Sequence, residues 1–566
     1  MEKTIYYGGP ILTLEEGPAP EALLVKDGRI AAVGSRRDLL LERDAGTRLE
    51  DLEGRALLPA FVDAHSHLTA QASALASVSL EGAESHEEII RRIQAYKRER
   101  RVPPGTWITA FGYDHNRLPQ GRHPDRALLD AAAPDNPLVA AHASGHMGAA
   151  NSAALQALGV TRDTPDPPGG VIGRGPDRRE PNGYLEERAF TETTARIPRP
   201  DEGERLELLA EAQRLYFSYG ITTIQDGMTD PDWFRLLRRA NGEGRLLADV
   251  VCYIDPSQRA LAEAYPACRR RYEGGLKLGG YKIFLDGSPQ GRTAWLTRPY
   301  APAGGAVQRA ENGAVPGPAG EETDPAGTRG EARDYAGYPI HTDREVERAM
   351  ETALADHMQL LVHCNGDAAA DQMIRAWAAA RQGFPAMGDA RPVMIHAQLV
   401  RPDQLERMKR LGMLPSFFVA HTWHWGDIHL RNLGRERAGR ISPTGTAQAL
   451  GLPFTLHQDT PVLPPDMLFT LWCAVHRRTQ GGRRLEQAEA LTPAQALAAV
   501  TRHAAYQYFE EGEKGTLRPG KRADMVVLDR DPLSVPPEAL RELQVCRTIK
   551  DGQTVYARDG APRRTG

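Results

Sequence analysis

The segment Asp63-Ala64-His65-Ser66-His67 closes an apolar run beginning at Leu57. Side chains two apart on a strand share a face, so His65 and His67 can reach one metal ion together. A lone His-x-His is only suggestive, because buried structural histidines also produce it. Three further ligand-type residues stand at the ends of apolar runs: His363 after Leu360-Leu361-Val362, His396 after Val393-Met394-Ile395, and Asp459 after Thr455-Leu456-His457-Gln458. Four imidazoles and one carboxylate form an N/O donor set suited to Zn²⁺, Mn²⁺ or Fe²⁺ rather than Cu(I). Reading each residue separately as a cap or core group must explain the same placement repeatedly.

Lys282 is the unusual member. It lies in Gly280-Tyr281-Lys282-Ile283-Phe284-Leu285-Asp286-Gly287-Ser288, in a chain where nine of the 70 Lys and Arg residues are lysines. A buried ammonium group is costly unless paired, neutral or modified, and a neighbouring dication would repel it. An outward-pointing, snorkelling Lys282 is the alternative.

The elements that must position these residues follow from the alternation of short apolar strands with longer helical stretches, the pattern of a parallel α/β protein. Strands are predicted at 57–64, 221–225, 249–254, 281–285, 360–363, 393–396, 414–419 and 453–457. Eight strands close a (β/α)₈ TIM barrel, whose active sites lie at the C-terminal strand ends. Runs 107–112 and 138–141 also read as strands; they are assigned to an insertion at about 70–205. A second insertion, 301–337, is rich in Gly, Pro and charge, with Tyr335 and Tyr338 at its end. It reads either as a cover over a site or as a surface excursion. Asp27-Gly28 and Asp551-Gly552 are hairpin turns flanked by strand-like runs. These predict a small β-sandwich domain built from both chain ends, residues 1–56 and 510–566, around a barrel at 57–509.

Net charge is −4, from 70 basic and 74 acidic residues, which gives no reason to expect nucleic acid or a membrane as partner. Five cysteines, none in a Cys-x-x-Cys pair, support neither a disulfide framework nor a cysteine zinc cluster. The N-terminus lacks a signal-like apolar stretch and no run is long enough to span a bilayer, so the expected location is cytoplasmic.

The sequence resembles the amidohydrolase superfamily over nearly its whole length. More narrowly it resembles amidohydrolase family 3, the YtcJ-like branch that includes N-substituted formamide deformylase. The marks are Asp63–His67, Ser144-Gly145-His146-Met147-Gly148-Ala149-Ala150-Asn151-Ser152, Tyr281–Ser288, and His363-Cys364-Asn365-Gly366-Asp367. They continue with His396-Ala397-Gln398, His421-Thr422-Trp423-His424-Trp425-Gly426-Asp427, His457-Gln458-Asp459-Thr460-Pro461, and Gly515–Asp524.

The resemblance implies a metal-dependent hydrolase barrel with a β-sandwich. It implies one or two divalent ions, Zn²⁺ the first choice, held by His65, His67, Lys282, His363, His396 and Asp459, with Lys282 able to carry a bridging carbamate made with CO₂. The implied reaction is cleavage of a non-peptide C–N bond, amide or N-formyl, by metal-bound hydroxide, with Asp459 as general base and then acid. His146, His421 and His424 are candidates for oxyanion or substrate contacts or for orienting a ligand. Asp286 is a candidate to hold a ligand or cap a helix. The partner is then a small-molecule substrate, and a homodimer stands as one option for the assembly. A deaminase or an ester or lactone hydrolase could use the same metal site. A non-catalytic scaffold or small-molecule-binding protein is the alternative of another class.

Overall fold

Eight short apolar segments build one parallel sheet: Phe61–Val62, Ile221–Asp226, Asp249–Ile254, Leu276–Phe284, Gln359–Cys364, Val393–His396, Leu414–Phe417 and Thr455–Leu456, each beside the next in chain order. The computed structural model describes residues 2–118, 121–301, 334–385 and 388–558. Nearly every residue of the sheet is buried, which matches strands covered on both faces. Beyond the first and last strands, Asp459 N–H donates to His65 O at 3.3 Å and His67 N–H to Thr460 O at 2.8 Å. Two main-chain bonds thus tie the ends of the sheet where the candidate ligands stand.

The predicted strand 57–64 is two strands. Ala56–Pro59 pairs antiparallel with Met525–Leu528, and Phe61–Val62 pairs parallel with Ile221–Asp226. Ala60 breaks the run, its N–H donating to Asp524 O. Pro59 has no N–H for a continued ladder. One unbroken apolar sequence therefore serves two sheets.

The chain ends form two four-stranded sheets. One contains Lys3–Tyr7, Ala22–Lys26, Arg29–Gly34 and Thr47–Asp51; the other contains Ala56–Pro59, Met525–Leu528, Val545–Lys550 and Gln553–Ala557. Both predicted hairpins are present. Their turn residues Asp27, Gly28, Asp551 and Gly552 all have φ between 49° and 77°, the backbone that makes Asp-Gly the preferred two-residue connection. Leu23, Val25 and Ile30 share a core with Leu517, Met525, Val527 and Ile549, so the two ends bury each other's apolar faces.

Charges buried beneath the parallel sheet link it to these ends. Asp249, opening the third strand, takes Lys514 at 2.5 Å, Arg522 at 2.9 Å and Lys550 at 3.1 Å. Lys277, near the start of the fourth, pairs with Glu510 at 2.5 Å. Each buried charge has an opposite partner, the condition for tolerating it.

Runs 107–112 and 138–141 belong to a separate six-stranded mixed sheet, ordered Gly170–Arg174, Pro181–Glu187, Met147–Ala150, Leu138–His142, Ile108–Tyr113, Val78–Ser79. It has apolar clusters of its own. Most of 301–337 lies outside the described residues, so the cover reading of that segment is not addressed. Tyr338 is described, and its hydroxyl donates to Glu186 at 2.9 Å. No described helix is long and apolar enough to cross a membrane.

Candidate metal centre

His65 and His67 follow the first strand, Lys282 lies within the fourth, His363 and His396 lie in the fifth and sixth, and Asp459 follows the eighth. Their side chains meet. His65 Nε2 and His67 Nε2 each lie 3.3 Å from Asp459 Oδ1, and these three donors converge tightly enough to share one ion. Lys282 Nζ is 3.1 Å from His65 Nε2. His396 Nε2 is 3.8 Å from Asp459 Oδ2, and the His363 and His396 rings are 4.6 Å apart. Asp459 and His396 have φ of 60° and 70°, left-handed backbone that costs a non-glycine residue about 1–3 kcal/mol and is held by its surroundings.

Hydrogen bonds around the group select the tautomers. Gln225 Nε2 donates to Ala64 O and Tyr508 Oη, so its Oε1 faces His65 Nδ1, at 2.5 Å. His65 Nδ1 carries the proton and Nε2 turns a lone pair toward Asp459. His457 Nδ1 lies 2.8 Å from Ser416 Oγ and His457 Nε2 3.1 Å from His396 Nδ1. With His396 Nδ1–H donating to His457 and His457 Nδ1–H donating on to Ser416, His396 Nε2 keeps its lone pair; the reverse order places the proton on Nε2.

Electrostatics agree. Burial holds His65, His363 and His396 well below the ordinary imidazole range, with the Lys282 charge reinforcing it. These rings are neutral donors. Burial pushes Asp459 up, but the His67 contact and the His457 and Lys282 charges outweigh it, and the carboxyl sits below its usual range. Asp459 Oδ1 and His363 Nδ1 are buried without a hydrogen-bond partner. The His65 Nε2 lone pair therefore faces Asp459 Oδ1 across 3.3 Å, an arrangement that a cation between them relieves. The donor set fits a divalent ion.

Lys282 is fully buried and forms no salt bridge among the described residues. Burial draws its ammonium group down to about 7. The nearby Asp459 charge only partly offsets the burial of an ammonium group at that place, which accords with a neutral or modified lysine and not with a snorkelling one.

The remaining candidates lie around this group. Asp286 accepts from the backbone N–H of Trp295, Asn365 and Gly366 and sits 3.5 Å from His363 Nδ1. It gathers two loops behind His363; burial pushes its carboxyl up to about 7. The His146 ring is 5.1 Å from His363, and its Nδ1 is 2.8 Å from Glu187. Burial pulls His146 down, and Glu187 more than offsets this, leaving it above its ordinary value. His421 packs on Phe418, which separates it from His396, and His424 packs on Trp425 and Phe469. These two wall the site and do not join the donor group.

Asp114, His115 and His142 are a second group with metal-like spacing. Hydrogen bonding decides against it. Ser144 N–H donates to His142 Nδ1 at 3.0 Å, so the ring proton is on Nε2, directed at His115 Nδ1 at 3.2 Å. Asp114 accepts from Asn116 N–H and from Trp425 Nε1. These residues form a hydrogen-bonded chain.

Gln225, His457 and Glu187 were not singled out from sequence. Gln225 ends a predicted apolar strand, the signal that identified His363, and could have been found by it.

Residues 48–556 match the model of the amidohydrolase family. The chain is 29% identical to N-substituted formamide deformylase of Arthrobacter pascens, over 96% of each chain. It is 28% identical to the putative amidohydrolase YtcJ of Bacillus subtilis (strain 168), over 98% of this chain and 99% of that one. An uncharacterized metal-dependent hydrolase from Pyrococcus horikoshii OT3 shares its fold with a TM-score of 0.72 and 25% identity, over 95% and 99% of the two chains. Members of this family are hydrolases, and with 509 consecutive residues matched to its model the chain belongs to the amidohydrolase family.

Proposed function

We propose that this protein hydrolyses a non-peptide C–N bond, an amide or N-formyl group, at a divalent metal centre. The observation that carries the proposal is the convergence of His65 Nε2, His67 Nε2 and Asp459 Oδ1, with the His65 lone pair turned to the carboxylate. Under this reading His65, His67, His363, His396 and Asp459 hold one or two ions, zinc the first choice. Lys282 joins them as a carbamate, which replaces a buried cation by an anionic ligand. A divalent ion there supplies Lewis acidity and acidifies water toward neutral pH.

The chain's residues do the rest. Asp459 accepts the proton of the attacking water on the carboxylate oxygen not turned to the ion and delivers it to the leaving nitrogen. Gln225 and His457 hold the His65 and His396 rings in the ligating tautomer. Asp286 keeps His363 and the following loop in register. Burial of His65, Lys282, His363 and His396 keeps bulk water from these side chains and strengthens their contacts, while His67 is partly exposed.

We further read the parallel sheet as a (β/α)₈ barrel and the two terminal sheets as a β-sandwich, because main-chain bonds join its first and last strands and because the ends share one core. Similarity to the Arthrobacter N-substituted formamide deformylase favours an N-formyl substrate. Five cysteines without disulfides favour a reducing, cytoplasmic setting.

The test is hydrolysis of N-formyl amines, simple amides and cyclic amides by the metal-loaded protein and by Asp459→Asn. The wild type is expected to release amine from at least one class, and Asp459→Asn to lose about 10²–10⁴-fold in rate with its fold intact. Wild-type rates in the folded variant would overturn the assignment of Asp459. Ammonia release from a ring amine, without amide cleavage, would overturn the bond class.

A further inference from the structure

Glu187 ends the strand Pro181–Glu187 of the six-stranded sheet with φ 50° and ψ −122°, a conformation costly for a residue with a Cβ. Its backbone N–H donates to His146 O at 2.7 Å, and its Oε2 accepts from His146 Nδ1–H at 2.8 Å. One residue thus clamps both the main chain and the ring of His146. Glu187 is 3% exposed, and its second oxygen, Oε1, has no hydrogen-bond partner. Gly287, next to Asp286, makes room for it: a Cβ there would overlap Oε1. The carboxylate therefore reaches from one sheet to the rim of the other.

The turn carrying His146 is held as well. His146 N–H donates to Ser144 Oγ at 3.3 Å, and Ser144 in turn binds His142 Nδ1. His142 contacts His115 and Asp114, and Asp114 is bound to Trp425 Nε1 in the segment that walls the site. The cluster rejected above as a ligand set is the support of this turn. With Nδ1 engaged by Glu187, Nε2 is the ring atom left for a ligand, and the ring lies 5.1 Å from His363 and 6.3 Å from Phe284.

We infer that His146 Nε2 contacts the scissile amide and that Glu187 is its positioning residue. The inference rests on the metal-hydrolase reading and adds a substrate contact supplied from outside the parallel sheet. An amide offers a carbonyl acceptor and an N–H donor, so Nε2 finds a partner in either protonation state. This contact comes from the second sheet, which becomes part of the site.

Acetohydroxamate, which carries both groups of an amide, is the probe. Its affinity for the metal-loaded protein is measured by calorimetry for wild type, Glu187→Gln, His146→Leu and the double variant, with metal content and thermal unfolding recorded on the same samples. His146→Leu is expected to weaken binding about tenfold, the size of one lost hydrogen bond, with metal content unchanged. Glu187→Gln, nearly isosteric, is expected to weaken it less and to add nothing in the His146→Leu background. Additive losses would mean that Glu187 does not act through His146 and would overturn the positioning role. A loaded wild type whose affinity is indifferent to His146→Leu overturns this inference alone. A wild type that takes up no metal overturns it together with the hydrolase reading.

Discussion

Gln225 Oε1 lies 2.5 Å from His65 Nδ1, and through that contact His65 Nε2 faces Asp459 as a base. A glutamine fixed by Ala64 and Tyr508 thus decides which nitrogen of a ring 160 residues away is available to an ion. Gln225→Leu should lower metal affinity about 10–100-fold, the usual effect of losing a ligand's hydrogen-bond partner. Chelator competition on the folded variant measures it. Unchanged affinity would mean that the tautomer is set elsewhere.

Lys282 stands 3.1 Å from a histidine nitrogen and forms no salt bridge among the described residues. Lys282→Ala should lose metal and hydrolysis together, and short carboxylic acids such as acetate should restore part of both. Full metal occupancy in Lys282→Ala would show that the lysine is not a ligand.

The ion network under the sheet predicts a stability effect without a direct effect on the site. Lys514 contacts Asp249 and Glu510 while only 3% exposed. Lys514→Met removes one cation from each of two buried carboxylates, which keep Arg522, Lys550 and Lys277, and should cost about 1.5–3 kcal/mol, the range for a lost hydrogen bond to a charged group. The urea midpoint should fall accordingly. A midpoint within error of wild type would contradict the pairing.

Buried rings and buried carboxylates act on acid stability with opposite signs. Burial holds His503 down to about 4 and His429 to about 3, against about 6.5 in an unfolded chain. The stability these rings contribute is complete above pH 6.5 and is lost as pH falls toward 4. Asp286, pushed up to about 7, works in the other direction over the same range. The ring is isolated by difference: on going from pH 7 to pH 5, Tm of His503→Gln should gain relative to wild type. A Tm difference independent of pH would mean that folding does not lower the His503 pKa.

Strand ends and candidate ligands are legible in the sequence for one physical reason. A strand buried on both faces must be apolar, so a histidine or aspartate terminating it stands out, as at His363, His396 and Asp459. The terminal hairpins are legible because Asp-Gly turns need positive φ at both positions. What the sequence hid is pairing between distant residues. Glu187 meets His146 and Gln225 meets His65 only after folding, and neither has a local pattern. The run 57–64 misled because apolarity does not say which sheet a residue joins; Ala60 divides it. His421 and His424 share a motif with Trp425, but motif membership does not specify direction, and they pack on aromatic rings.

Metal content tests the central claim most directly. Protein purified without chelator should carry one or two equivalents of zinc, manganese or iron per chain by plasma mass spectrometry, and the His65→Ala/His67→Ala variant should carry almost none while remaining folded. Two equivalents would support the bridging lysine. No metal in the wild type after reconstitution with Zn²⁺ and bicarbonate, or the same content in the double variant, would contradict the account.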